Sequence, residues 1–225
     1  MGKFVDRWRT AWRLRAFRDQ FLVSIIGLII TVIMMRIYLG HLELRAGVVL
    51  NDPLLSIIPK VELNWITFTL VYSGMLFGLA SLVLHPFRLL LTTRALILII
   101  LLRLICLYLL PLEPPPGHIP LVDPIVQIPA LQFTTPRGLF FAWETAMMVL
   151  LALTAPWRDV RIIFACMALI LSILLLVQRV HYTIDVVAAP CFAYAAFGLA
   201  KWITVRDIGE LRVSDQSEKT AASRS

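Results

Sequence analysis

The chain has 225 residues, of which 60% are hydrophobic and 16% charged, with a formal net charge of +7. That apolar share exceeds the roughly 45–50% of soluble domains, and together with a mean hydropathy of +0.84 it excludes a soluble globular domain. Cys106, Cys166 and Cys191 all fall inside apolar runs, which argues against a disulfide framework or a thiolate metal site and for packing roles.

Taken in chain order, the first 20 residues are a basic arm. Phe4, Trp8 and Trp12 recur at i, i+4 and i+8 among arginines, the pattern of an amphipathic helix lying in the headgroup region with its aromatics inward. No cleavable leader is expected, because basic residues run from Lys3 to Arg18 before the first apolar segment and no small-residue cleavage site follows. Asp6 stands where a myristoylation signal needs Ser or Thr.

Six apolar spans then read at about 21–39, 64–84, 95–111, 139–155, 160–177 and 183–204, each near the length a bilayer core demands of a helix. Pro86, the Thr92–Thr93 pair and Pro156 are read as punctuating short turns. Residues 40–63 and 112–138 make two longer loops. The second holds Pro114, Pro115, Pro116, Pro120, Pro124, Pro129 and Pro136, so it cannot be helical throughout and is expected to cap one face. Residues 206–225 form a polar tail, expected to be disordered from about Val213 because it is too poor in apolar residues to fold. The expected architecture is therefore all-α, with an interfacial arm at 1–20, a six-helix transmembrane bundle at 21–205 and a polar tail. No inverted repeat of the transporter kind is detected.

The arginines orient the bundle. Lys3, Arg7, Arg9, Arg13, Arg15 and Arg18 in the arm, Arg88 and Arg94, Arg158 and Arg161, and Lys201, Arg206 and Arg212 all fall on one side of the six-span reading. The opposite loops hold only Arg45, Lys60, Arg137 and Arg179. The positive-inside rule then places both termini in the cytoplasm and both long loops on the exoplasmic, periplasmic or lumenal face. Topology and anionic headgroups account for the net charge, so the expected partners are membrane lipids and no nucleic acid is called for.

His181 and Asp185 stand four residues apart where the last span begins on that outer face. On a helix they share a side, so Asp185 can orient one ring nitrogen of His181 and leave the other to attack or to shuttle a proton. The alternative is that Thr183 caps the helix, Asp185 complements its dipole and His181 is an interfacial bystander.

The string Arg179-Val180-His181-Tyr182-Thr183-Ile184-Asp185-Val186 closely resembles the last conserved motif of the sphingomyelin synthase family, a branch of the type 2 phosphatidic acid phosphatase superfamily. Arg94 through Arg103 to Leu110-Pro111 is similar to that family's arginine-containing third span, and Asn51-Asp52-Pro53 through Pro59 to Trp65 to the segment before its second span. The resemblance covers most of the chain from about Asp52 to Trp202. It implies a lipid phosphotransferase or phosphatase in which His181 accepts a phospho-headgroup as a phosphohistidine and Asp185 orients it. No cofactor is implied.

The sequence departs from the family at the start of the fourth span. The Ser-Gly-His-Thr motif whose histidine protonates the departing lipid alcohol is replaced, with Ala142 at the serine, Trp143 at the glycine and Glu144 at the histidine. Three roles for Glu144 stay open: a non-standard acid, an inert structural partner of an arginine such as Arg103, or the mark of lost or altered chemistry. A degenerate relative that binds lipid without catalysis is the alternative function. His118, in the outer proline-rich loop, is a second candidate for the vacant acid position, or else a solvated loop residue. The phosphatases' Lys-x6-Arg-Pro element and their arginine six residues before the nucleophile are missing, Leu175 occupying the latter position. Arg103, Arg137 and Arg179 are then the candidates for phosphate contact. Glu144, His118, His181 and Asp185 have no tight metal-ligand spacing, so no metal is expected.

Overall fold

The computed structural model describes residues 2–42, 44–121 and 141–222, with side chains placed for 4–42, 44–121 and 141–207. Among the described residues it is all-helical: α1 Gly2–Arg13, α2 Arg15–Leu42, α3 Pro53–Ile57, α4 Asn64–Val83, α5 Pro86–Leu109, α6 Trp143–Thr154, α7 Arg158–Val177 and α8 Thr183–Ala222. The single extended pairing among them is an isolated parallel bridge between Val48 and Leu112.

Five helices, α2, α4, α5, α7 and the 183–207 portion of α8, are long and apolar enough to cross a membrane, making this an integral multi-pass membrane protein. Their outer faces are bare apolar side chains, such as Leu22, Val23, Ile26, Ile30, Ile33 and Ile37 along α2, which only a lipid solvent would tolerate in such number.

The expected fourth span is shorter than its apolar run suggests. In α6 only 12 residues are helical, about 18 Å at 1.5 Å per residue against a core of about 30 Å. Phe141, with φ +40, and the extended Ala142 form the corner from which α6 starts. Thr145 Oγ1 lies 3.3 Å from Ser172 Oγ, so the first turn of α6 is level with Ser172. That is about 8 Å before α7 ends at Val177.

Two further expectations are corrected. Thr92 and Thr93 do not mark a turn: α5 runs unbroken from Pro86, whose fixed φ suits the first helical position, and the two hydroxyls donate to Arg88 O and Leu89 O one turn back. Nor does the chain lose order at Val213. The backbone of α8 continues as helix to Ala222, an extension of a helix already nucleated inside the bundle.

α5 is the central element, packing against α2 and α8, while α6 fits between α7 and α8. Close approach is achieved with small residues, as is usual where lipid supplies no hydrophobic drive between helices. Ala189, Ala193, Ala196 and Ala200 form a fully buried stripe on α8. On α4, a Cβ at Gly78 would stand 2.7 Å from Leu151 Cδ2 of α6.

The packing defines two ends. At one lie α1, the α4–α5 and α6–α7 turns and residues 204–207, linked by Trp8 Nε1 to Val83 O, Arg88 to Thr154 O and Arg94 to Asp207. At the other lie the 44–63 segment, the end of α5, the start of α6 and the α7–α8 turn, linked by Val48 N to Pro111 O, Val61 N to Val177 O and Ala142 N to Asp185 O. The arm is helical as expected, but its aromatics pack partly on protein: Trp8 and Trp12 both meet Phe21 edge-on.

Arg94 knots the first end together. It is 9% exposed, donates to Ser24 Oγ, Thr204 Oγ1 and Gln20 Oε1, and pairs with Asp207 at 3.0 Å, joining α2, α5 and α8. Removing one side of such a pair leaves the other charge uncompensated. Arg94→Ala is expected to cost about 3 kcal/mol, and Arg94→Lys less. Thermal unfolding in detergent measures both.

Candidate functional site

The site is assembled from three chain segments at the second end. The α7–α8 turn supplies His181, the first turn of α8 supplies Asp185, and the first turn of α6 supplies Glu144. All three are buried, at 3%, 0% and 8% exposure. His181 Nδ1 lies 3.5 Å from Asp185 Oδ2, and Nε2 lies 3.6 Å from Glu144 Oε2. A single imidazole therefore faces a carboxylate at each ring nitrogen, from two residues, Glu144 and Asp185, that are 41 positions apart in sequence.

The local fold explains how this line is held. Asp185 Oδ2 accepts from Tyr182 N at 3.1 Å, the reach-back half of a capping box, so the dipole role and the imidazole contact are filled by the same carboxylate. Thr183 is not the cap. Its N–H and hydroxyl donate to Asp52 at 2.6 and 3.0 Å, while Asp52 also accepts from Leu54 and Leu55 N–H and so caps α3. Asp52 is thus shared by two helix starts, one of them bearing the site. Asp52-Pro53 carries the N-cap and first-position signals in the sequence. Nothing local announces that the same carboxylate reaches α8.

The other candidates fall into different places. Arg103, 6% exposed on α5, donates from Nη1 to Phe141 O at 2.9 Å and lies over the Phe141 ring at 5.7 Å. It secures the positive-φ corner that launches α6, and so holds Glu144 through the backbone; the ion pair Glu144 itself makes is with His181. Arg179, at φ +55, donates to Pro116 O, Leu55 O and Ile58 O at 2.9, 2.8 and 3.3 Å. Its guanidinium fastens two covering segments to the turn. His118 is half-buried beside the turn, its Nδ1 3.1 Å from Arg179 O. Arg137 lies outside the described residues. Among the described residues no group of three or more His, Cys, Asp or Glu side chains is placed to hold a metal ion.

Tyr182, fully buried, completes the cover: its hydroxyl accepts from Leu50 N at 3.2 Å and donates to Glu113 O at 3.0 Å. Two buried carboxylate oxygens inside the site make no hydrogen bond: Asp185 Oδ1, and Glu144 Oε2, which faces His181 Nε2 at 3.6 Å. Buried acceptors of this kind are rare and leave capacity for an incoming donor.

No protein-family model and no curated protein matches this sequence.

Burial pushes the His181 imidazole down, but the facing carboxylates of Asp185 and Glu144 outweigh it and raise its pKa from 6.5 to about 9. Burial pushes the Asp52 carboxyl up, but donation from Thr183, Leu55 and Leu54 outweighs that and holds it below 3.8. A raised histidine stabilises the folded state fully below its unfolded pKa of 6.5 and loses that contribution as pH rises through about 9. A depressed aspartate contributes above 3.8 and loses its contribution as pH falls through the lower folded value. Unfolding midpoints recorded across pH should therefore decline on both sides. His181→Asn is expected to flatten the alkaline limb and Asp52→Asn the acid limb.

Proposed function

We propose that this chain transfers or hydrolyses the phospho-headgroup of a membrane lipid through a phosphohistidine on His181, in the manner of the sphingomyelin-synthase-like enzymes its final motif resembles. The reading rests on one observation above all: both ring nitrogens of a buried imidazole face a carboxylate, at 3.5 and 3.6 Å.

At rest the imidazole carries both protons. For attack, the Nε2 proton passes to Glu144, and the Nε2 lone pair forms the bond to phosphorus while the phosphorus–oxygen bond to the lipid breaks. Glu144 returns that proton to the departing oxygen, the task of the histidine it replaces. Asp185 keeps the Nδ1 proton in place and stabilises the positive ring of the phosphohistidine. In the second half, an acceptor alcohol or water gives its proton to Glu144 and attacks phosphorus, and the phosphorus–nitrogen bond breaks. A gap of 3.6 Å is too small for a phosphate between Nε2 and Glu144, so the bound substrate displaces the Glu144 carboxylate to one side.

The bundle is proposed to act as six spans. Both the arm and residues 204–207 lie at the same end, so the chain makes an even number of passes if α6, whose Thr154 touches Arg88 at that end, is counted as one. The positive-inside rule then assigns the arginine-rich end to the cytoplasm and the His181 site to the exoplasmic or lumenal side.

A second reading, a degenerate relative that binds lipid without turnover, is favoured by the closure of the site, where His181 is 3% exposed under a cover fastened by Arg179. Purified protein in lipid nanodiscs with headgroup-labelled phospholipids separates the two. Turnover is expected in the wild type and none in His181→Ala. Glu144→Gln should lower the rate by about 10²–10⁴-fold. Saturable lipid binding without turnover for any headgroup would establish the second reading, and full activity in His181→Ala would remove the assigned nucleophile.

A further inference from the structure

At the arginine-rich end two guanidinium groups converge on one carbonyl. Arg88, in the first turn of α5, donates from Nη1 to Thr154 O at 3.0 Å and Ala155 O at 2.9 Å; Arg161, in the first turn of α7, donates from Nε to the same Ala155 O at 3.0 Å. The two donor nitrogens are therefore within roughly 6 Å of each other, a like-charge contact that calls for an anion. One arginine would suffice to cap the end of α6.

The neighbourhood adds positive charge, and its nearest acid in sequence, Asp159, makes no ion pair with the two arginines among the described residues. Arg7 Nη1 lies 3.2 Å from Leu84 O and 3.0 Å from His85 Nε2, and the His85 ring meets Trp157 edge-on at 5.3 Å. Among the described residues no ion pair within 4.0 Å involves Arg7, Arg88, Arg158 or Arg161, although Asp159 stands between the last two in sequence. Elsewhere at this end Arg94 is paired with Asp207, and Arg15 and Arg18 share Asp19. The N-termini of α5 and α7 also point here and add their dipoles. Around the pair stand exposed apolar side chains, Trp157, Phe87 and Leu84. An aromatic rim of this kind sits at headgroup depth.

We propose that Arg88 and Arg161 form a binding site for the phosphate of an anionic phospholipid, separate from the His181 site and independent of its chemistry. The guanidinium edges not used on Ala155 O supply charge-assisted donors that a phosphodiester oxygen accepts. Free phosphate shares that recognition chemistry, but the apolar rim gives a lipid its second contact.

Thermal unfolding and native mass spectrometry of the full chain, titrated in detergent with phosphatidylglycerol, phosphatidylcholine or inorganic phosphate, test the assignment. Phosphatidylglycerol is expected to stay bound and to raise the melting temperature, and phosphatidylcholine to do neither. Arg161→Gln should weaken binding about fivefold, and the Arg88→Gln/Arg161→Gln pair about 30-fold, at about 1 kcal/mol for each charge near the headgroups. Glutamine keeps a donor for the Ala155 carbonyl. If the pair does not fold, the exposed Arg161→Gln alone carries the comparison. Arg15→Gln, whose side chain pairs with Asp19 and takes no part in the Ala155 cluster, should bind as the wild type does. Unchanged phosphatidylglycerol affinity in the Arg161 variant, or equal affinity for both lipids, would overturn the site. An equal shift from inorganic phosphate at the same concentration would overturn the lipid assignment and leave a free-anion site.

Discussion

An imidazole held between two carboxylates in an apolar bundle is the arrangement on which the rest of the structure depends. Each of the three groups is costly to bury alone, and the cost is offset only while they stay within ion-pair distance and in matching charge states. The separations of 3.5 and 3.6 Å must therefore be maintained by the backbone, because side chains of this length have little slack once buried. That requirement accounts for the density of fixed points around the turn: the Phe141 corner secured by Arg103, the Tyr182 N–H on Asp185, and Asp52 beneath Thr183. It also accounts for the alanine stripe of α8, since bulkier residues at Ala189 and Ala193 would lift the helix that carries Asp185 away from α6.

What could be read from the residues was what local spacing and composition determine. His181 and Asp185 four apart at a helix start, the apolar lengths of α2, α4 and α7, and the aromatic face of α1 all express periodicities a single segment contains. The departures arise where a distant segment decides. Thr92 and Thr93 are polar enough to suggest a turn, yet inside α5 their hydroxyls bond the preceding turn and the helix passes through. The apolar run at 139–155 suggests a whole span, yet α6 begins only at Trp143, after a positive-φ corner held by an arginine from another helix. Arg179 looks available for phosphate beside His181, but three carbonyls from two other segments take up its guanidinium.

The two ends of the bundle handle charge in opposite ways. At the His181 end, positive groups are absorbed internally: Arg179 by carbonyls of the cover, the imidazole by carboxylates, and Arg103 by the Phe141 carbonyl and ring. At the other end Arg94 is absorbed in the same fashion, but Arg88 and Arg161 crowd one carbonyl with donors to spare. A surface that keeps like charges together in the native state must draw its compensation from outside the chain, whereas a site that has neutralised itself must be opened before anything charged can join it.

That second condition bears on how any substrate reaches His181. The imidazole meets Glu144 of α6's first turn, and the cover above it is joined by hydrogen bonds, Val61 N–H to Val177 O, Ile119 N–H to Gln178 O and the Arg179 donors to Leu55, Ile58 and Pro116, and by an apolar cluster of Leu55, Leu112 and Tyr182. Hydrogen bonds of this kind exchange for water or lipid phosphate with a small net change, unlike an apolar seam that loses buried area when it parts. Parting the cover therefore costs mainly the buried area of the Leu55, Leu112 and Tyr182 cluster, to which the hydrogen bonds add little. Because Asp52 accepts from both α3 and Thr183, moving α3 outward withdraws the acceptor from the first N–H of α8, so displacement of the cover acts directly on the helix that orients His181.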